Sequence, residues 1–304
     1  TATPGDHFYF IANYHALTTS RDPEELRGMV QEAAITYLAL GLDPEKCSLF
    51  RQTDVPEVHE IAWLLSCVTG MGLLERAHSY KDKVANGIKP NVGLFTYPVL
   101  MAADILAYDS DVVPVGKDQI QHVEMTQDMA GYFNHAYGEH TPEGYAFVRP
   151  EYRLETSELL QKVPGIDGQK MSKSYGNSIW IFESGKKLKK AVGRVPTDSR
   201  EPSEPKNPDE LILFDFLTLF LEPKELEDWK ERVRKGGPDA PGYGHLKMRV
   251  VEAMEEYFAP ARKRRDELIA NPAEVEAILQ RVAATARARA QIVRDRAMRA
   301  CGLK

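Results

Sequence analysis

The chain of 304 residues predicts an α/β fold: a parallel sheet with crossover helices over 1–185, then an all-helical second domain over 186–304. Three observations predict it. Apolar strand-like runs alternate with helix-period segments through the first part of the chain, the pattern of parallel strands joined by helices. Beyond Ser184 the alternation stops, and every periodic segment is helical. Between 183 and 205, where the change falls, Pro196, Pro202 and Pro205 cluster.

His7-Phe8-Tyr9-Phe10-Ile11-Ala12-Asn13-Tyr14 is aromatic and apolar and predicts a buried strand, followed by a loop from His15 to Thr19. Asp22-Pro23-Glu24-Glu25 is a helix start: a capping carboxylate, a proline at the first position and acids in the first turn. Leu26, Met29, Val30, Ala33, Ala34, Tyr37 and Leu38 keep the helical period until Gly41 ends it. Ser48 to Gln52 predicts a second strand and Val58 to Val68 a second helix. Tyr97 to Tyr108 is a nearly unbroken apolar helix, Asp111 to Val115 a strand, and Gln119 to Tyr137 a long helix. The later helices are expected at Lys186–Val192, Pro208–Leu221, Lys224–Gly236, Gly244–Ala270 and Pro272–Arg299.

The bulk composition narrows the function classes. Hydrophobic residues at 43% and charged residues at 28% describe a soluble globular protein with enough apolar material for a large core. No apolar run approaches a membrane span and no signal peptide is visible. Cys47, Cys67 and Cys301 lack metal-ligand spacing, which fits a reduced cytoplasmic protein without a disulfide framework or zinc site. The net charge of −6 excludes little, because a basic patch can sit inside an acidic total. Between 281 and 304 the last helix carries Arg281, Arg287, Arg289, Arg294, Arg296, Arg299 and Lys304 against one acid, Asp295. Such segregation suits a phosphate backbone, and equally a solvated helix face.

Several residues carry chemistry. Gln169-Lys170-Met171-Ser172-Lys173-Ser174-Tyr175-Gly176-Asn177 follows Pro164-Gly165-Ile166-Asp167-Gly168 and begins as loop. Its two lysines and backbone amides could meet the charge that grows as a phosphate departs, or could be ordinary surface lysines. Asp104 is an acid in an apolar helix and must accept hydrogen bonds from an internal donor or from a ligand. Gly116-Lys117-Asp118-Gln119 joins a strand end to a helix start, the place where open α/β sheets bind ligands. There Asp118 could accept from ribose hydroxyls or cap the helix, and Gln119 could hold an amino acid's backbone. Tyr97 and His15 stand at loop junctions where a pocket or simple packing is expected, and Lys81 or Lys83 could reach a triphosphate.

Together these residues resemble one family, the bacterial-type tryptophanyl-tRNA synthetases. The string KMSKS at Lys170–Ser174 is the signature loop of class I aminoacyl-tRNA synthetases. The resemblance extends through Ile11–Thr18, Gly41–Pro44, Val55–Glu57, Tyr97–Leu106, Val113–Gln119, Thr197–Ser199 and Tyr243–Lys247, and so covers most of the chain. The Met101 to Asp104 helix and the Gly116 to His122 segment point to tryptophan rather than tyrosine. The resemblance implies a Rossmann-like catalytic domain followed by a helical anticodon-binding domain. It implies formation of tryptophanyl-adenylate from L-tryptophan and ATP with Mg²⁺, then transfer to tRNA(Trp), by a homodimer.

Carried over by position, it implies that Asp104 accepts the indole N–H, with Met101, Val113 and Val115 walling the ring and His15 beside it. Tyr97 and Gln119 would hold the α-amino group. Asp118 would meet the ATP ribose and Lys83, Lys170 and Lys173 would attend the phosphates, with Gly116, Met171, Ser172 and Ser174 also in the ATP site. No resident metal ligands are implied.

The family's other signature, a HIGH-type motif just before the strand at His7, does not occur in these residues, nor does the strand before it. The chain opens at Thr1 rather than Met, so a missing start is expected to account for both. A tyrosine-specific synthetase and a non-catalytic paralogue that binds tRNA or tryptophan remain as alternative readings.

Overall fold

The computed structural model describes residues 4–77, 80–81, 87, 89–157, 159 and 163–304. The chain forms two compact units, one from the segments up to Glu155 and from Glu267 to Lys304, the other from Thr156 to Asp266. This division differs from the expected one at 185/186. Loss of strand pattern marks a change in secondary structure. The unit boundaries follow packing, which returns the last helix to the first unit.

In the first unit, β1 (Phe8–Ile11) pairs in parallel with β2 (Ser48–Arg51), Phe8 opposite Ser48 and Ile11 opposite Arg51. The predicted strand stops at Ile11 because Asn13–Ala16 forms a one-turn helix, α1. The crossover helix α2 (Pro23–Ala39) is bounded as its sequence requires. The Asp22 carboxylate accepts the Glu24 and Glu25 amides at 2.8 and 3.1 Å. At the other end Gly41 adopts φ 94°, and the Leu42 and Gly41 amides reach back to the Tyr37 and Leu38 carbonyls. Next come α3 (Glu57–Ser66), α4 (Met71–Glu75) and α5 (Val92–Leu106), the last opened by an Asn91 cap on the Leu94 amide.

A second parallel pair follows, β3 (Val112–Val115) with β4 (Glu151–Leu154), joined through α6 (Ile120–Tyr137). The strand β4 is not expected from sequence: Glu-Tyr-Arg-Leu is short, polar and largely exposed. The core gathers Phe50, Ile61, Leu65, Ala102, Leu106, Met129, Phe133 and Phe147. In the second unit α7 (Gly185–Gly193), α8 (Ile212–Phe220), α9 (Pro223–Lys235) and most of α10 (Tyr243–Ala270) enclose a separate core including Leu188, Val192, Leu213, Leu217 and Val250. Among the described residues no strand lies beyond Ser184, as the sequence predicts.

The final helix α11 (Pro272–Ala300) belongs to the first unit. Its stripe of Ala283, Ala286, Ala290, Val293, Ala297 and Ala300 is buried in that unit's core. Most of its arginines are occupied. Arg287 forms a fork on Glu57 with a closest contact of 2.8 Å, Arg294 reaches Glu60 at 2.9 Å, Arg281 reaches Glu45, and Arg296 pairs with Asp109. The charge therefore stitches the helix to its own unit.

Glu57 is 2% exposed. Burial pushes its carboxyl up, but hydrogen bonds from Arg287 and Gln291 outweigh this and hold it below the ordinary value. Its stabilising contribution is present above that ordinary value and is lost as pH falls through the lowered one. Arg287→Ala is expected to destabilise the chain by about 2 kcal/mol, less than for a wholly buried pair because the guanidinium is half-exposed. Urea unfolding measures this, and an unchanged midpoint would show that the pair contributes nothing.

Candidate active site

Three strand ends in the first unit each deliver polar groups, and two of them meet a buried acid. The chain leaving β1 turns into α1, which carries His15. The chain leaving β2 places Gln52 in a 3₁₀ turn, 1% exposed. The Gln52 Oε1 accepts the Tyr14 amide at 3.0 Å, and its Nε2 donates to Asp104 Oδ2 at 2.7 Å. The same Oδ2 lies 3.0 Å from His15 Nε2. Asp104 itself is 2% exposed, and burial raises its carboxyl above the ordinary value against the opposing hydrogen bonds of His15 and Gln52. Both contacts fall on one oxygen; Oδ1 has no hydrogen bond among the described residues.

Along α5, Tyr97, Met101 and Asp104 occupy positions i, i+4 and i+7, which fall on one helix face. The Tyr97 hydroxyl is 2.6 Å from His122 Nε2, and its ring meets His15 edge-on at 6.1 Å. Burial pushes the Tyr97 phenol up to about 12, so it stays protonated. His15, Gln52, Asp104, Tyr97 and His122 thus form one contiguous polar cluster in an apolar unit. Gln52 and His122 are not singled out by sequence reasoning. Gln52 reads there as the polar end of a strand, and His122 only as part of a matched segment.

After β3, Val113 and Val115 share one face of the strand, both half-buried. Gly116 follows, where an added Cβ would lie 2.8 Å from Asp118 Oδ1 and would turn this carboxylate aside. Gln119 Nε2 donates to Asp118 Oδ2 at 2.9 Å. Lys83 lies outside the described residues.

The second unit holds the lysine loop. Pro164 and Lys170 form an antiparallel bridge, and Gly165 N–H donates to the Gln169 carbonyl at 2.7 Å. Asn177, 2% exposed, braces the loop from inside. Its Oδ1 accepts the Ser172 amide at 2.8 Å, while its Nδ2 donates to the Asp167 carboxylate at 2.8 Å and to the Lys170 carbonyl at 3.1 Å. A Cβ on Gly165 would fall 2.3 Å from that Nδ2, which explains the glycine.

Lys173, Ser174 and Tyr175 form a 3₁₀ turn closed by Gly176 at φ 63°. The Lys173 ammonium rests 4.7 Å above the Trp180 ring. Met171 is half-buried against the second unit's core. The loop is therefore pre-shaped through its backbone, and among the described residues the Lys173 ammonium is held only by an aromatic face. Removing the brace by Asn177→Ala is expected to reduce kcat/KM for ATP about tenfold, through lost pre-organisation. ATP titration in a pyrophosphate-exchange assay measures it, and parameters equal to the parent's would show that the brace is irrelevant to turnover.

A parallel-sheet unit with polar groups at its strand ends, together with a braced KMSKS loop, has the character of a class I aminoacyl-tRNA synthetase. The family described as tRNA synthetases class I (W and Y) matches residues 5–259, and the chain belongs to it. Its curated relatives include the tryptophan–tRNA ligase of Rhodopirellula baltica, 52% identical over 297 residues, which span 98% of this chain and 89% of the relative. The tryptophan–tRNA ligase of Campylobacter jejuni is 48% identical over 284 residues, 93% of this chain and 86% of that one. Among solved structures, the C. jejuni tryptophanyl-tRNA synthetase complexed with ADP and tryptophan aligns with a TM-score of 0.88 at 46% identity. That alignment covers 97% of this chain and 89% of the other.

Proposed function

We propose that this chain activates L-tryptophan with ATP and transfers the tryptophanyl group to tRNA(Trp). The observation that carries the choice of tryptophan is Asp104. It is a buried carboxylate whose Oδ2 is saturated by His15 and Gln52 and whose Oδ1 is left to accept from a ligand donor. An indole N–H is such a donor, and a site built to pair it discriminates strongly against analogues that lack it. Met101, Val113 and Val115 supply apolar walls for the ring, with His15 beside it. Tyr97 and Gln119 offer polar atoms to the amino acid's backbone.

In the first step the tryptophan carboxylate attacks the α-phosphorus of ATP, a phosphoric–carboxylic anhydride bond forms, and pyrophosphate leaves. In the second, a terminal ribose hydroxyl of the tRNA attacks the anhydride carbonyl and AMP departs. Neither step needs a protein nucleophile; positioning and charge stabilisation suffice. Gly116 and Asp118 are the residues for the ribose. Lys170 and Lys173 stabilise the departing pyrophosphate, while the Met171 and Ser172 amides hold the loop's shape through the Val163 carbonyl and Asn177 Oδ1. Among the described residues no group of three or more His, Cys, Asp or Glu side chains is placed to hold a metal ion. By resemblance to the family, Mg²⁺ enters as the magnesium complex of the ATP substrate.

By resemblance to its family the protein works as a homodimer in the cytoplasm. Among the described residues no helix is long and apolar enough to cross a membrane. Tryptophan-dependent ATP–pyrophosphate exchange tests the proposal, with tyrosine as the competing substrate. Exchange driven by tyrosine, or by neither amino acid, would reject it.

A further inference from the structure

We propose that the lysine face of α7, with Arg194, is the track on which the phosphate backbone of the RNA substrate lies beside the Lys170–Ser174 loop. This rests on the aminoacylation reading above and adds a location within the second unit.

Leu188 and Val192 of Gly-Lys-Lys-Leu-Lys-Lys-Ala-Val-Gly are buried in the second unit's core, which turns Lys186, Lys187, Lys189 and Lys190 outward. All four are exposed, and none forms an ion pair with an acid among the described residues. The contrast with α11 is direct: that helix looks the better RNA binder in sequence, yet Arg281, Arg287, Arg294 and Arg296 are occupied by Glu45, Glu57, Glu60 and Asp109. Lysines three and four apart on one helix face repel each other, a strain that an arriving polyanion relieves.

The face also leads to a recognisable place. Lys187, Lys190 and Arg194 line a cavity of about 480 Å³ together with Lys173, Trp180 and Glu183. Three basic groups of the helix end and Lys173 of the catalytic loop thus share one cavity, with Glu183 the acid in its lining. Two rings stand there largely in water, Trp180 at 53% and Tyr175 at 70% exposure. Flat aromatic faces among cations are what single-stranded nucleic acid stacks on while its phosphates are neutralised. A free nucleotide has the same phosphate chemistry, so the test must separate the two.

The test uses the full chain and a Lys187→Glu/Lys190→Glu double variant, with binding of a tRNA(Trp) transcript measured across a salt series. We expect affinity to fall at least about tenfold and the slope of log K against log salt to become shallower by about two. Tryptophan-dependent pyrophosphate exchange should keep its rate. Unchanged affinity and slope would overturn the proposal. So would lost exchange with retained tRNA affinity, which would assign these lysines to the nucleotide. If the reversed charges prevent folding, Lys187→Gln/Lys190→Gln gives the same slope change with a smaller loss of affinity. Absence of exchange in the unsubstituted chain would count against the activity reading and not against the RNA track.

Discussion

Asp104→Asn is expected to lower tryptophan-dependent pyrophosphate exchange about 10²–10³-fold while leaving the chain at least as stable as the parent. The two effects separate for a geometric reason. Gln52 Nε2 donates to Oδ2 and His15 Nε2 lies against it, so the single carbonyl oxygen of asparagine must take that position. Its NH₂ then occupies the place of Oδ1 and faces the indole N–H, donor against donor. Stability does not suffer in parallel, because the substitution removes a buried charge whose carboxyl is raised by desolvation.

A pH signature accompanies this. A raised carboxyl takes up its proton in the folded chain before the unfolded one does. This group alone therefore adds stability as pH falls from neutrality through the raised value toward the ordinary one. The variant should lose that contribution. Parental exchange activity, or identical pH profiles of Tm for the two proteins, would refute the role given to this carboxylate.

Lys173→Ala is the second large effect. It should reduce kcat for adenylate formation about 10²–10³-fold, with KM for tryptophan changed no more than about twofold. The lysine makes no salt bridge among the described residues; its ammonium rests on Trp180. Such a contact is worth about 0.5–1 kcal/mol at an exposed site, so the group can leave it for a developing phosphate charge. A loss expressed wholly in KM for tryptophan would show that the loop serves substrate binding and not the departing group.

Much of this was legible in the sequence because local chemistry dictated it. Asp22-Pro23 and Gly41 bound α2 as their residue types demand, and the KMSKS string announces its own loop. The acid at Asp104 also declares itself, since an apolar helix gives a carboxylate no local reason to be there. The rest depended on distant partners. Gln52 has no signal of its own; it matters because β2 ends where α1 and α5 present an amide and an acid. The role of α11 was hidden likewise, since its arginines show charge in sequence but not the five acids that face them. β4 was too short and polar to be distinguished from loop.

The return of α11 to the first unit also bears on how the protein is made. Residues up to Glu155 emerge from the ribosome without the alanine stripe that completes their core, and with Glu57 buried beside a vacant place for Arg287. The second unit, continuous from Thr156 to Asp266, has all its own core residues in hand first. Synthesis would therefore finish the second unit before the first, and the residues up to Glu155 would wait, half-assembled, for α11 to be translated.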